Sequence, residues 1–197
     1  MEVERADELP DAPFVEDAVV VCGDLAVLTR SGAPERRPEV ATVAAAVQAL
    51  GLRTAVIEEP GTLDGGDVLQ VGEMVYVGRS ARSNDEGIAQ LAALLPERTV
   101  VPVELRGVLH LKSAVTALPD GTFIGDPECV DLPGMIVPVE EAGSHVVPLG
   151  GDLVLMAASA PETAEMLAGQ GLEIVTVDIS EFEKLEGCVT CLSVLIR

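Results

Sequence analysis

The chain reads as an α/β protein built from a repeated strand-strand-helix-strand unit. Three observations predict this. Short apolar runs come in pairs, separated by tight Gly-Asp, Gly-Glu, Pro-Asp-Gly or Gly-Gly-Asp turns, as in hairpins. A helical stretch and a further apolar run follow each pair, with the helix cut to about one turn in the third unit. The set recurs at roughly 40–50 residues, a period typical of propellers and other arrays.

The first unit opens at Asp17: strand Ala18–Cys22, a turn at Gly23-Asp24, strand Leu25–Thr29, a helix from Pro38 to Leu50, and a returning strand Thr54–Ile57. Proline suits a first helical turn because its missing N–H has no partner there in any case. The second unit opens at Asp67, with strands Val68–Val71 and Met74–Val77, a helix Asp85–Leu95 capped by Asn84, and strand Thr99–Val103. The third has strands Ser113–Leu118 and Thr122–Gly125, about one helical turn near Pro127–Val130, and a return over Gly134–Val139. The fourth has Val146–Pro148 and Leu153–Ala157, a helix Glu162–Leu167 opened by Pro161, and Leu172–Val177. Leu192–Ile196 reads as a buried strand that starts a fifth unit, with Met1–Arg5 as its final strand. One domain over 1–197, with four full repeats and parts of a fifth, is expected.

With 48% hydrophobic residues, the chain has enough apolar surface for a folded core. That core must be aliphatic, because there are three Phe, one Tyr and no Trp, which argues against stacking platforms for bases or sugars. A net charge of −21 argues against nucleic acid and against anionic membrane surfaces. The same charge suits solubility in general and a cationic small-molecule substrate in particular. No run approaches the ~20 apolar residues of a membrane span, and the N-terminus has no apolar signal core, so a cytoplasmic location with reduced cysteines is expected.

Several segments carry candidate chemistry. Asp11, Glu16 and Asp17 put three carboxylates beside apolar sequence, which favours solvation or pairing. Thr62-Leu63-Asp64-Gly65-Gly66-Asp67 combines carboxylates with glycines that permit close approach, although a plain loop entering a hairpin has the same composition. His110, in Leu109-His110-Leu111-Lys112-Ser113, lies among apolar residues, where a lone histidine is more often structural than catalytic. Cys188-Val-Thr-Cys191 reads either as a redox pair or as half a zinc site, and both readings lack supporting ligands or a following helix. Arg36 and Arg82 each sit in a Gly-containing loop just before a helix, where surface charge is the default reading. Position joins these segments. Asp17, Asp67, Ser113 and Cys191 mark repeat entrances, which converge on the axis of a ring, gathering Glu16, Asp17, Asp64, His110 and Cys191 around one cavity.

Taken together, the segments Phe14-Val15-Glu16-Asp17, Gly32-Ala33-Pro34-Glu35-Arg36-Arg37, Thr62 to Leu69, Leu109 to Ser113 and Thr190 to Ile196 resemble, in order and over nearly the whole chain, the dimethylarginine dimethylaminohydrolases of the pentein superfamily. The resemblance implies a β/α propeller of five such units, here with an incomplete N-terminal blade. Exposed strand edges in an open ring would invite pairing, so a homodimer is allowed. It further implies Cys191 as nucleophile, His110 as general acid/base and Asp64 as its supporting carboxylate. Glu16 and Asp17 match guanidinium binders, Asp11 a contact to the amino-acid part of the substrate, Arg36 and Arg82 contacts to its carboxylate, and Glu186 a position near the substrate. His145 stands where relatives usually carry Asn.

The implied reaction hydrolyses N-omega,N-omega-dimethyl-L-arginine or monomethylarginine to L-citrulline and the amine, through a covalent thiouronium on Cys191. It requires no metal or organic cofactor, and zinc on Cys191 and His110 would inhibit it. The chemistry agrees with these roles. Two carboxylates hold a guanidinium through charge-assisted hydrogen bonds, and its resonance-shielded carbon calls for a soft nucleophile such as thiolate. The alternatives are an arginine deiminase-like hydrolase, a non-catalytic pentein-like binding domain, and a CxxC redox or zinc protein.

Overall fold

The structure, a computed structural model, describes residues 6–196. Strands β1 (Val19–Cys22) and β2 (Leu25–Leu28) pair antiparallel, and β2 pairs parallel with β3 (Arg53–Val56). A parallel partner needs a crossover, which helix α1 (Val40–Ala49) supplies. The same plan recurs in β4 (Val68–Val71), β5 (Met74–Arg79), α2 (Asp85–Leu94) and β6 (Thr99–Glu104). After helix α3 (Leu111–Ala114), the third unit keeps only the hairpin β7 (Val115–Ala117) and β8 (Phe123–Gly125). The fourth has β9 (Val146–Gly150), β10 (Leu153–Ala157), α4 (Pro161–Ala168) and β11 (Glu173–Val177), followed by the single turn α5 (Ser180–Glu183).

Local chemistry explains these elements. The equivalent turns β1–β2 and β4–β5 each place a glycine at φ 58°, Gly23 and Gly72, where a Cβ would be strained. Helix α2 starts where Asn84 Oδ1 accepts the Gly87 N–H at 2.8 Å. The first strand of a unit is apolar on both faces because it serves two cores. Val20 joins Val27, Ile57, Leu63, Val68 and the α2 residues Ile88 and Leu91, while Val19 and Val21 face Val43 and Val47 of α1. Likewise Val68 faces the first unit, whereas Leu69 packs with Val115 and Phe123 of the third. Val146 packs back on Leu118 and Ile124, and Val147 packs forward on Ile179 and Val189. The period-two alternation of a strand thus ties each unit to its neighbours.

Every unit is also entered through a single helical turn, which places the site. Turns Val15–Ala18, Gly65–Asp67, α3 and Glu141–Ser144 precede β1, β4, β7 and β9, and Thr190–Leu192 is a fifth such turn. The turn Val15–Ala18 packs against both Gly65–Asp67 and Thr190–Leu192, and α3 packs against Gly65–Asp67.

Some sequence expectations need correction. Ala18, Ser113 and Ala114 are helical rather than extended, because these turns occupy the strand starts. Pro38 lies in a 3-10 turn, Pro34–Glu39, ahead of α1. No helix forms near Pro127–Val130, and the third unit's return shrinks to one parallel bridge, Ile124 to Ile136. The tail Leu192–Ile196 is not a strand and is not buried. Among the described residues no strand edge pairs with it, so it runs half-exposed from the Thr190–Leu192 turn, with Ile196 47% exposed. The expected strand Met1–Arg5 lies outside the described residues. Among those residues no helix is long and apolar enough to cross a membrane.

Candidate functional site

The entry turns bring most of the sequence-predicted residues together. His110 precedes α3, is 5% exposed, and donates from Nε2 to Asp64 Oδ2 at 3.1 Å. The same nitrogen lies 3.9 Å from Asp17 Oδ1. Burial alone would lower the His110 pKa. The Asp64 hydrogen bond and the charges of Asp17 and Asp67 outweigh it and raise the value above 6.5. The ring therefore holds its proton more firmly than a free imidazole does.

The Asp64-Gly65-Gly66-Asp67 segment makes this packing possible. A Cβ on Gly66 would lie 2.7 Å from Asp17 Oδ1 and 2.8 Å from His110 Nδ1, and one on Gly65 would lie 1.9 Å from the Glu16 carbonyl oxygen. Only glycine lets three turns approach this closely. Gly66 N–H donates to Asp17 Oδ1 at 2.9 Å. Asp67, which the sequence reading marked only as an entrance, anchors the next turn. Its Oδ1 accepts the Leu111 N–H at 3.0 Å, and its Oδ2 accepts the hydroxyls of Ser80 and Ser83 at 2.6 Å each. Burial raises the Asp67 pKa, with His110 and the two serines opposing it. Asp64 is fully buried, and its Oδ1 has no hydrogen-bond partner among the described residues.

Glu16 and Asp17 already have cationic partners. Lys112, which sequence reasoning passed over, lies with Nζ 2.6 Å from Glu16 Oε1. Burial nevertheless raises Glu16 to about 7, against the pull of Lys112. Asp17 is also buried, but His110 and Arg36 override that and hold its carboxyl below the usual 3.8. Arg36 is inside rather than at a binding surface. It donates to Asp17 Oδ2 at 2.5 Å, to Glu39 at 3.0 and 2.7 Å, and to the Asp11 and Phe14 carbonyls at 3.3 and 3.4 Å. Arg82 donates to Asp64 Oδ2 at 3.3 Å and keeps a fifth of its side chain exposed. The Arg36 and Arg82 loops do adjoin, since Gly32 N–H donates to the Arg82 carbonyl at 3.1 Å.

Asp11 lies at the rim, its carboxylate 3.8 Å from Arg36 Nε. Glu186 is exposed and holds a left-handed φ of 61°, a conformation that keeps a non-glycine residue strained. Cys191 sits on the Thr190–Leu192 turn, half-buried, with its sulfur 3.2 Å from Cys188 Sγ. One proton in this contact serves two sulfurs. The pair loses its first proton readily, because a thiol donates to the resulting thiolate, and this lowers Cys188 to about 5. The same hydrogen bond, with burial, opposes loss of the second proton and raises Cys191. His145 donates from Nε2 to the Ser113 carbonyl at 3.1 Å, which is a structural contact.

A cleft of about 720 Å³ runs along the first strands. Glu16, Gly65, Lys112 and Thr190 line it, and Cys191, His110 and Asp64 stay outside it. Asp17, Asp64 and His110 offer ligand atoms within 4.8 Å of one another, a spacing that also suits a cation. The neighbouring guanidinium groups of Arg36 and Arg82 oppose one there. A buried carboxylate-histidine pair flanked by a second carboxylate suits proton transfer, and the Thr190–Leu192 turn, packed against Val15–Ala18, carries a thiol suited to nucleophilic attack.

The sequence model of the arginine deiminase family matches residues 4–142. An N(G),N(G)-dimethylarginine dimethylaminohydrolase of Streptomyces coelicolor is 57% identical over 203 aligned residues, covering 100% of this chain and 79% of its own. A dimethylarginine dimethylaminohydrolase solved as an adduct with 4-chloro-2-hydroxymethylpyridine superposes with a TM-score of 0.86 at 34% identity, over 96% of this chain and 80% of the other. A mutant of the Pseudomonas aeruginosa enzyme in complex with citrulline gives a TM-score of 0.86 at 32% identity, over 96% and 78%. With the α/β architecture, the ordered motifs and a full-length match at this identity, the chain belongs to the dimethylarginine dimethylaminohydrolase family.

Proposed function

We propose that this chain, as one catalytic domain, hydrolyses N-omega,N-omega-dimethyl-L-arginine and the monomethyl form to L-citrulline and the corresponding amine. The observation that carries the reading is His110 Nε2, set between Asp64 and Asp17, whose charges strengthen its hold on a proton. A guanidinium held at Asp17 and Glu16 puts its nitrogen beside that proton. Cys191 attacks the guanidino carbon as thiolate, with the bound cation drawing the negative charge to this sulfur from the shared pair. His110 then protonates the departing dimethylamine, a thiouronium remains, and His110 takes a proton from the water that releases citrulline.

Arg82, partly exposed and loosely bonded, takes the substrate carboxylate, while Asp11 and Glu186 line the amino-acid end. Arg36, its donors spent inside the protein, fixes Asp17 instead. The five entry turns and the cores shared between consecutive units support a propeller arrangement whose fifth blade begins at Cys191. The matched relative that carries citrulline, the product of this reaction, supports the substrate class.

The arginine deiminase description of the matching family model favours a second reading, in which arginine loses ammonia. Assays with asymmetric dimethylarginine and with arginine, scoring dimethylamine, ammonia and citrulline, separate the two. Dimethylamine with citrulline is expected, and ammonia from arginine alone would overturn the first reading. Cys191→Ser should abolish citrulline formation, and unchanged turnover would sink the nucleophile assignment.

A further inference from the structure

Cys188 is a buried thiol to which the proposed reaction gives no task. Its Sγ is 3.2 Å from Cys191 Sγ and 3.2 Å from Thr190 Oγ1. The turn between the two cysteines is closed by the Cys191 N–H donating to the Cys188 carbonyl at 3.1 Å. Cys188 is 7% exposed, whereas Cys191 is half-buried, so an oxidant meets Cys191 first. A disulfide holds its sulfurs at about 2.05 Å, so the pair needs to close by only roughly 1 Å. Cys22 and Cys129 are also free thiols and lie in other cores, Cys22 beside Val20 and Cys129 beside Val130. A thiol placed only for packing needs no contact with the nucleophile's sulfur.

We propose that Cys188 is a resolving thiol for Cys191, and that a peroxide oxidant reversibly converts the pair into a 188–191 disulfide that switches hydrolysis off and shields Cys191 from further oxidation. The inference rests on the reading of Cys191 as nucleophile. In the first step the proton shared across the 3.2 Å sulfur contact passes to Cys188, and the Cys191 sulfur, now the thiolate, attacks a peroxide oxygen. The O–O bond breaks, hydroxide leaves and becomes water, and the sulfur is oxidised to sulfenic acid. In the second step the Cys188 sulfur, losing its proton, attacks the Cys191 sulfur. The S–S bond forms, the S–O bond breaks, and hydroxide leaves with that proton as a second water. Two thiols and one peroxide thus give one disulfide and two waters, and a dithiol reductant reverses the change.

The test uses the whole chain, reduced, then dosed with hydrogen peroxide and followed by citrulline formation and by mass spectrometry after iodoacetamide. The expected result is a loss of turnover of roughly tenfold or more, with the 188–191 peptide two hydrogens lighter and unalkylated, and recovery with dithiothreitol. Cys188→Ser and Cys188→Ala, each scored against its own untreated rate, should lose turnover without recovering, as Cys191 proceeds to sulfinic acid. Wild-type inactivation without the linked peptide overturns the proposal, and so does equal recovery of both variants. Turnover surviving in Cys191→Ser would instead remove the nucleophile reading beneath it, and the linked peptide is scored independently of that result.

Discussion

Two buried arginine contacts at this site have opposite meanings. Arg36 makes five hydrogen bonds to protein acceptors, whereas Arg82 makes one long contact to Asp64 and stays partly exposed. Arg36→Leu leaves Asp17 and Glu39 as uncompensated buried charges, so urea denaturation should show a loss of about 3–5 kcal/mol. Arg82→Ala should keep stability near wild type and raise KM for the substrate, since it removes a carboxylate contact. In the proposed reaction Asp64 acts through His110. Asp64→Asn removes the charge and weakens the hydrogen bond that hold the proton on the ring, so the alkaline limb of the kcat profile should move to lower pH. An unmoved limb would remove His110 as the titrating acid. The residue types of this cluster were legible in the sequence. Lys112 and Asp67 were not assigned, because their partners lie far away in sequence: Lys112 reaches Glu16, and Asp67 reaches Leu111.

At the scale of elements, the single helical turns ahead of β1, β4 and β7 do the positioning. They let Glu16, Asp17, Asp64 and His110 meet near a strand start, where side chains from different units converge. Gly65 and Gly66 set how closely they meet. Gly66→Ala should therefore lower kcat strongly, because Asp17 and His110 must both move. Asn84→Ala, which removes the cap of α2, should cost about 1 kcal/mol of stability and leave turnover unchanged. Thermal melts and steady-state kinetics on both variants check the contrast. Hairpins and helices were legible because Gly-containing turns, Pro161 and Asn84 act locally. The one-turn helices were not, since four residues show no period and their form follows from the packing of neighbouring turns.

Across the whole molecule, the site's titrating groups set a pH dependence of stability. The ordinary pKa of Glu16 is 4.5, and burial lifts it to about 7 in the folded chain. The folded state then binds more protons than the unfolded one between these values, so Glu16 lowers stability as pH rises through that window. His110, raised, contributes stability below 6.5 that is lost as pH climbs through its folded value. Asp17, lowered, contributes stability above 3.8 that is lost as pH falls through its folded value. Cys188, lowered to about 5, acts in the opposite direction over the same window, so the check is a difference: the melting temperature of Glu16→Gln relative to that of the wild type should rise from about pH 5 to pH 8. A slope unchanged in that variant would contradict the buried, partly neutral Glu16. The consecutive cores couple the units, so such local charge effects read out as shifts of global stability.

The sequence by itself determined the repeat, its hairpin turns and helix starts, and the identity of the chemistry-bearing residues, because turn geometry, capping and period-two burial are local. Tertiary structure alone decided which of those residues work together. It took Arg36 out of the binding rim and into a buried ion cluster, and it gave Glu16 a lysine partner. It also left the tail after Cys191 without a strand, because a strand needs an edge to bond to, which no local pattern supplies. Finally, it set the sulfur of Cys188 against that of Cys191, turning a spacing the sequence could not interpret into a contact with chemical consequences.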